Sequence, residues 1–407
     1  MHLTIKIPDF IFKPSENHAG THLEALKASS VGLCSKVSLL KSITIGTAKS
    51  EPGKLTYGFI DVMNLPTGTS DKIPVMIAQG KEDGPTFFIS ANIHGNELTG
   101  VAVVHDVVNE DLVKELKGTV VAIPTLNPTA LRLYQRYPEY QDEDPNRQFP
   151  EGPFAKPEED DEDKKFLKPY EQVAKILYSI FEQYADYYLD LHNHSLRSVP
   201  YSIMDRIFYE NEDGIEEAKI LAEKQLGMIE AYGAGAMITA DFPPKKYINL
   251  KYHRSLSGAV LNSLRIPAFT VELGSNSVLY PEIIAGSVKA TRNVLRWAGM
   301  LDSPKEEITE FSVPVPEYRL RRIEHPRAND SGIVRLLVGP GEKVKKGQSI
   351  AAITDIHGRP LGEGVIRTEH DGYMIALRDE MTIYPNQGVA EMGIEDKDEI
   401  LAPMPPK

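Results

Sequence analysis

From about residue 55 to residue 300 the chain alternates short apolar runs with stretches of helical periodicity, and this alternation constrains the fold more than any other feature. Residues 55–65, 73–79, 86–93, 119–124, 187–191 and 269–273 read as strands, rich in β-branched residues and bounded by turn residues. Residues 98–116, 169–184, 214–231, 254–264 and 281–300 read as helices from apolar positions three and four apart. Several of the strand-like runs are almost wholly apolar, which requires burial on both faces. The expected fold is α/β, with a mixed, largely parallel sheet and helices on both faces. No repeat of 20–50 residues interrupts it.

Composition narrows the class of molecule. The 407 residues are 41% hydrophobic, enough for two or three domains, and carry a net charge of −13, which argues against nucleic acid as the main partner. Part of that charge is the run 158–163, read as a solvated loop. The chain has no run of about 18 apolar residues and no basic start followed by a long apolar core, so neither a membrane span nor a signal peptide is expected. Its single cysteine, Cys34, excludes an internal disulfide and fits a reducing, cytoplasmic setting, with an inert thiol the simplest reading.

Four stretches carry chemistry, and each falls where a strand ends. His94-Gly-Asn-Glu97 closes the run at 86–93 and opens a helix. A neutral imidazole and a carboxylate three residues apart can bind one Zn2+ from such a turn, given a third ligand from elsewhere. Alone, the pair reads equally well as a surface histidine and a helix-start glutamate favoured by the macrodipole. Asp190-Leu-His192-Asn-His194 can supply the third ligand, or is a polar strand end with no metal: His192 sits tight on the strand end, His194 is its rival, and Asp190 can orient an imidazole. Arg136, Asn146 and Arg147 lie in a loop after the strand at 119–124. A planar guanidinium fork and a neutral amide donor suit a carboxylate, although an ordinary charged loop has the same composition. Glu272, in Val271-Glu-Leu-Gly274, stands at another strand end, as a general base toward a metal-activated water or as a supporting ion-paired carboxylate.

Taken in order, His-Gly-Asn-Glu, Asn-Pro, Arg-Tyr, Asn-Arg, Asp-Leu-His and Val-Glu-Leu-Gly resemble the succinylglutamate desuccinylase/aspartoacylase family, allied to the zinc carboxypeptidases, over about 55–300. The resemblance implies that His94, Glu97 and His192 bind one Zn2+ per chain and that Glu272 serves as base and proton carrier. It further implies that Arg136 polarises the scissile carbonyl and that Asn146 and Arg147 hold a substrate carboxylate, with Arg254 a further substrate contact. The substrate-side tyrosine of such enzymes has three candidates, Tyr252, Tyr280 and Tyr384. The loop differs from the family pattern in an added acidic stretch at 139–144.

Residues 310–395 follow another pattern, short strands separated by glycine turns, and look like an all-β biotinyl/lipoyl-like sandwich. Its expected hairpin tip, 355–360, lacks the modifiable lysine of a carrier, so the segment reads as a cap narrowing a site. The expected domains are an N-terminal extension of unassigned role at 1–50, a zinc carboxypeptidase-like catalytic domain at 51–305 and a β-sandwich cap at 306–407. The expected function is zinc-dependent hydrolysis of the amide of a small N-acyl amino acid or related amine. Its partners are then small molecules, with neither nucleic acid nor membrane, and a homo-oligomer is compatible. A metallocarboxypeptidase acting on peptide C-termini, or a non-catalytic binding protein on the same fold, are the rival readings.

Overall fold

The computed structural model describes residues 40–155, 166–194, 197–276, 278–378 and 382–405. Cys34, the run at 158–163 and the first 39 residues of the N-terminal extension lie outside the described residues. The organising element is a thirteen-stranded mixed sheet. Its strands in the first 300 residues are β1 (Lys54–Asn64), β2 (Ser70–Gln79), β3 (Glu82–Ala91), β4 (Lys117–Ile123), β5 (Tyr187–His194), β6 (Tyr201–Met204), β7 (Met237–Ala240) and β8 (Ala268–Ser275). Later come β9 (Leu320–Glu324), β10 (Lys343–Val344), β11 (Gly372–Leu377) and β12 (Ala390–Glu395). Across the sheet they run β10-β11-β12-β9-β7-β6-β8-β5-β3-β4-β2-β1, and the two-residue strand Arg197–Ser198 pairs with β11 off this path.

The parallel part is a central block of β4, β3, β5 and β8, in which Ala122, Ile89, Leu189 and Phe269 stand side by side. All four side chains are buried, as fully covered parallel strands require. Toward β1 the pairing turns antiparallel, and β1 alternates buried Ile60 and Val62 with exposed Tyr57 and Phe59, the period-two pattern of a strand covered on one face. Toward the other edge, β8 pairs antiparallel with β6, while β6–β7 and β7–β9 are parallel.

The helices are α1 (Thr99–Val107), α2 (Glu110–Glu115), α3 (Pro128–Leu133), α4 (Pro169–Tyr184), α5 (Gly214–Tyr232), α6 (Leu256–Asn262) and α7 (Pro281–Trp297), besides a short turn of helix at Pro244–Asn249. One apolar cluster joins Val103 and Val107 of α1 to Val294 and Leu295 of α7 and to Phe87 and Ile89 of β3. A second joins Val173, Leu177 and Phe181 of α4 and Ala259 and Val260 of α6 to Phe88 of β3 and Val121 of β4. Successive residues of β3 thus enter opposite clusters, so helices cover both faces.

Three expectations are corrected. The helix expected over 98–116 is two, because the Asn109 side chain accepts the backbone N–H of Asp111 and Leu112 and starts a new helix there. The helix expected over 254–264 is shorter, Leu256–Asn262, and begins where Ser255 accepts the N–H of Gly258. Strands β5 and β8 run past their expected ends, so His192 lies within its strand rather than after it, while Glu272 lies inside β8 as expected.

From Leu320 onward the described residues form strands and no helix. Four continue the main sheet. Gly332–Leu336, Ser349–Thr354, Pro360–Arg367 and Thr382–Ile383 form a separate antiparallel sheet. Val334, Ile350 and Ile353 of the small sheet pack with Met374, Leu377 and Met392 of the large one. The 355–360 turn is a hairpin tip, held by Asp355 Oδ1 accepting the N–H of His357 and Arg359.

Candidate metal centre and substrate pocket

The carboxyl ends of β3, β5 and β8 converge, and each contributes to one buried constellation. After β3 the chain turns sharply at Asn92, whose φ is 58°. Its side-chain amide donates to the carbonyls of His94 and Glu97 at 3.0 and 2.9 Å, and its oxygen accepts from Thr125 Oγ1 at 2.8 Å, so a single side chain folds the turn. Gly95 presses against α3: a Cβ there would lie 2.1 Å from the carbonyl carbon of Ala130. The turn presents His94 and Glu97 together, with His94 Nδ1 2.7 Å from Glu97 Oε1.

Strand β5 brings the third group. His192 Nδ1 lies 2.9 Å from Glu97 Oε2, and the backbone N–H of Asn193 donates to the same oxygen at 3.1 Å. The two oxygens of Glu97 therefore each face a different imidazole, and ligand atoms of His94, Glu97 and His192 all lie within 4.8 Å of one another. The far nitrogens of both rings are also engaged. His94 Nε2 is 3.0 Å from Asp144 Oδ1, and His192 Nε2 is 2.8 Å from Asp190 Oδ2. Ser90 Oγ in turn donates to Asp190 Oδ1 at 2.6 Å. Two histidines with Nδ1 turned inward and Nε2 tied to carboxylates, around one buried glutamate, fit a three-ligand zinc site with an oriented outer shell. His194 is not in this group; its Nε2 pairs with Glu391 at 3.3 Å.

The electrostatics are strongly coupled. Burial opposes ionisation of Glu97, but the His94 and His192 rings override it and hold the carboxyl well below the usual range. Burial likewise disfavours a charged His192, and Asp190 and Glu97 more than reverse this. Asp144, partly buried, is held low by His94 and Arg136 against the effect of that burial.

Glu272 on β8 pairs in register with His192. It lines a cavity of about 350 Å³ together with the three candidate ligands, and its Oε2 has no hydrogen-bond partner among the described residues. Arg136 and Arg147 line the same cavity. Arg136 donates to Glu97 Oε1 at 3.3 Å and to Asp144 Oδ2 at 3.1 Å. The added acidic stretch therefore curls back so that its last residue clamps both His94 and Arg136. Asn146 Oδ1 accepts the N–H of Leu256 at 2.7 Å, and Arg147 stacks 4.0 Å above the ring of Tyr252. Of the three candidate tyrosines, Tyr252 alone lines the cavity; Tyr280 and Tyr384 are exposed.

Arg254 is not among the residues that line the cavity; it donates to the Phe149 carbonyl and to Glu171 and pairs with Glu151, so it fastens the loop at 146–151 to α4. Sequence reasoning also missed residues that line the cavity. Asp205 and Asp241 follow β6 and β7, strands of four residues each, too short for periodicity to reveal. Arg322 and Glu391 arrive from β9 and β12, more than 100 positions beyond His192. Asp144 did carry a local signal, since Asp-Pro-Asn-Arg is a capped turn whose Asp side chain accepts the N–H of Asn146 at 2.9 Å.

The profile of the succinylglutamate desuccinylase/aspartoacylase catalytic domain matches residues 83–298. The N-alpha-acetyl-L-2,4-diaminobutyric acid deacetylase of Halomonas elongata is 23% identical over 344 residues, covering 82% of this chain and 89% of that one. Two crystal structures share the fold at 18% identity. A succinylglutamate desuccinylase/aspartoacylase from Rhodobacter sphaeroides has a TM-score of 0.63 over 84% of this chain and 96% of its own. The product-bound ectoine utilization protein EutE from Ruegeria pomeroyi has 0.64 over 84% and 95%.

Proposed function

Because this chain belongs to the succinylglutamate desuccinylase/aspartoacylase family, we propose that it is a zinc-dependent hydrolase of the amide bond in small N-acyl amino acids. The observation that carries this reading is the convergence of His94, Glu97 and His192 with Glu272 and Arg136 on one cavity. The name of the Halomonas elongata relative, a deacetylase of an N-acetyl amino acid, supports the same substrate class.

His94, Glu97 and His192 would hold the ion, with Asp144 and Asp190 fixing the two rings. Zinc held in this way supplies Lewis acidity and makes water acidic enough to deprotonate near neutral pH. Glu272 takes the proton of the attacking water; its unpartnered oxygen is free for that task. Arg136 faces the carbonyl oxygen as charge develops on it. The acyl carbon gains the water oxygen, the C–N bond breaks, and the amine leaves with the proton that Glu272 carried. Asn146 and Arg147 hold the substrate carboxylate, with Tyr252 stacked beneath Arg147. The two packed sheets after Leu320 are read as a biotinyl/lipoyl-like sandwich. It acts as a cap, since Arg322 and Glu391 reach the cavity wall and restrict it to small substrates.

Metal analysis tests the first half of this proposal. Purified protein is expected to contain about one zinc per chain, lost in His94→Ala. Glu272→Gln is expected to keep the metal and lower kcat on N-acyl amino acids by roughly 10³-fold or more. A zinc-free wild type with no activity on added divalent metal, or a fully active Glu272→Gln, would overturn it.

A further inference from the structure

Away from the candidate ligands, the same cavity is walled by Asp205 and Asp241. Both are 1% exposed. Strands β6 and β7 are parallel neighbours with Met204 opposite Ala240, so the next residues, Asp205 and Asp241, leave the sheet side by side. Asp205 is held by two hydroxyls: Tyr247 donates to Oδ1 at 2.7 Å and Ser257 Oγ to Oδ2 at 2.9 Å. No ion pair reaches Asp205 among the described residues. Ser257 accepts from Thr270 Oγ1 at 2.9 Å, and Thr270 lies two residues before Glu272 on the same face of β8. The acidic wall is thus tied through hydroxyls to the strand that carries the proposed base.

The cation nearest this wall is already shared. Arg322, 6% exposed, approaches Asp241 at 3.5 Å and Glu391 at 3.6 Å and donates to Tyr201 at 3.1 Å. Its Nε lacks a hydrogen-bond partner among the described residues, although Arg322 lines the cavity. One guanidinium pairs directly with two carboxylates, and it reaches Asp205 only as a more distant charge. Burial and the neighbouring Asp241 carboxylate accordingly push Asp205 up to about 7. Buried charge of this kind is stabilised by a ligand cation, and the orphaned Arg322 Nε calls for an acceptor on the same ligand.

We propose, resting on the deacylase reading above, that Asp205 and Asp241 form a subsite for a cationic side chain, so that the preferred substrates are N-acyl derivatives of diamino acids. The side-chain ammonium sits against the two carboxylates, and an oxygen of the same ligand completes Arg322. Neutral and acidic amino-acid moieties leave the carboxylate pair uncompensated or oppose it, and are selected against.

The test compares the zinc-loaded enzyme on Nα-acetyl-2,4-diaminobutyrate, on its uncharged isostere Nα-acetylnorvaline and on Nα-acetylglutamate. The kcat/KM ratio of the first to the second is expected to exceed about 100, and to fall by about 100-fold in Asp205→Asn. Asp241→Asn, read in the same way, guards against a folding defect in Asp205→Asn. A wild-type ratio near one, or a ratio unchanged in both variants, would overturn the proposal. A structural role alone for Asp205 would lower the melting temperature and leave the ratio intact. Calorimetry with free 2,4-diaminobutyrate against free norvaline separates the two layers of the argument. Diamine-selective binding that is lost in Asp205→Asn, with no N-acyl substrate cleaved, would sink the deacylase reading and keep the subsite. Hydrolysis without diamine selectivity would do the reverse.

Discussion

At the residue scale, the candidate centre depends on which atoms of each side chain face inward. Glu97 is useful because both of its oxygens are committed to different rings, and the rings because Asp144 and Asp190 hold their outer nitrogens. Asp205 differs in kind, a carboxyl whose burial costs something until a cation arrives. The sign of its effect on stability follows from its raised value. Between its ordinary 3.8 and about 7 the native state holds a proton that the unfolded chain has released. Stability therefore falls as pH rises through that window and levels off above it. Besides Asp241, the groups facing Asp205 are Tyr247, Ser257 and Arg322. Urea unfolding at several pH values should show this slope in the wild type and a flatter one in Asp205→Asn. Equal slopes would mean that Asp205 is ionised throughout.

At the scale of elements, the site is a set of strand ends locked by turns. The turn at 92–97 is fixed by the hydrogen bonds of Asn92 and by the close approach of Gly95 to α3, whose first turn is capped by Asn127 accepting the N–H of Ala130 at 3.2 Å. Asn127 also donates to the Ile93 carbonyl at 2.9 Å, which ties the cap to the ligand turn. Gly95→Ala must push α3 away from that turn, at a cost of roughly 1–3 kcal/mol. Its melting temperature and its zinc content should fall together. A variant that loses stability but keeps full zinc would show that the turn tolerates the displacement.

At the scale of the whole molecule, the last hundred residues are continuous with the rest. β9 pairs with β7, so one sheet spans both parts of the chain. The fully buried Arg206, beside Asp205, donates through Nη1 and Nη2 to Asp396, each at 3.0 Å. Removing one partner of a buried pair strands the other charge, at roughly 3–5 kcal/mol. Asp396→Ala is expected to lower the unfolding free energy by that amount, read as a lower urea midpoint, while fluorescence and circular dichroism still report one shared transition. Two separate transitions would show that the parts unfold independently.

Much of the candidate site was legible because its signals are local. His94 and Glu97 share one turn, Asp190 and His192 share one strand, and Glu272 stands on an apolar run with a glycine after it. Alternating strand and helix periods likewise determined the α/β architecture, since period and burial are written residue by residue. Tertiary structure decided the rest. It broke the helix after α1 at Asn109, directed Arg254 to α4 and Glu151, chose His192 over His194 for the cluster, and folded an acidic loop onto His94. It also set Asp205 beside Asp241 and brought Arg322 and Glu391 from the far end of the chain into the same wall. These outcomes depend on strand register and on which charged groups meet in a buried space, and neither is encoded in any short stretch of sequence.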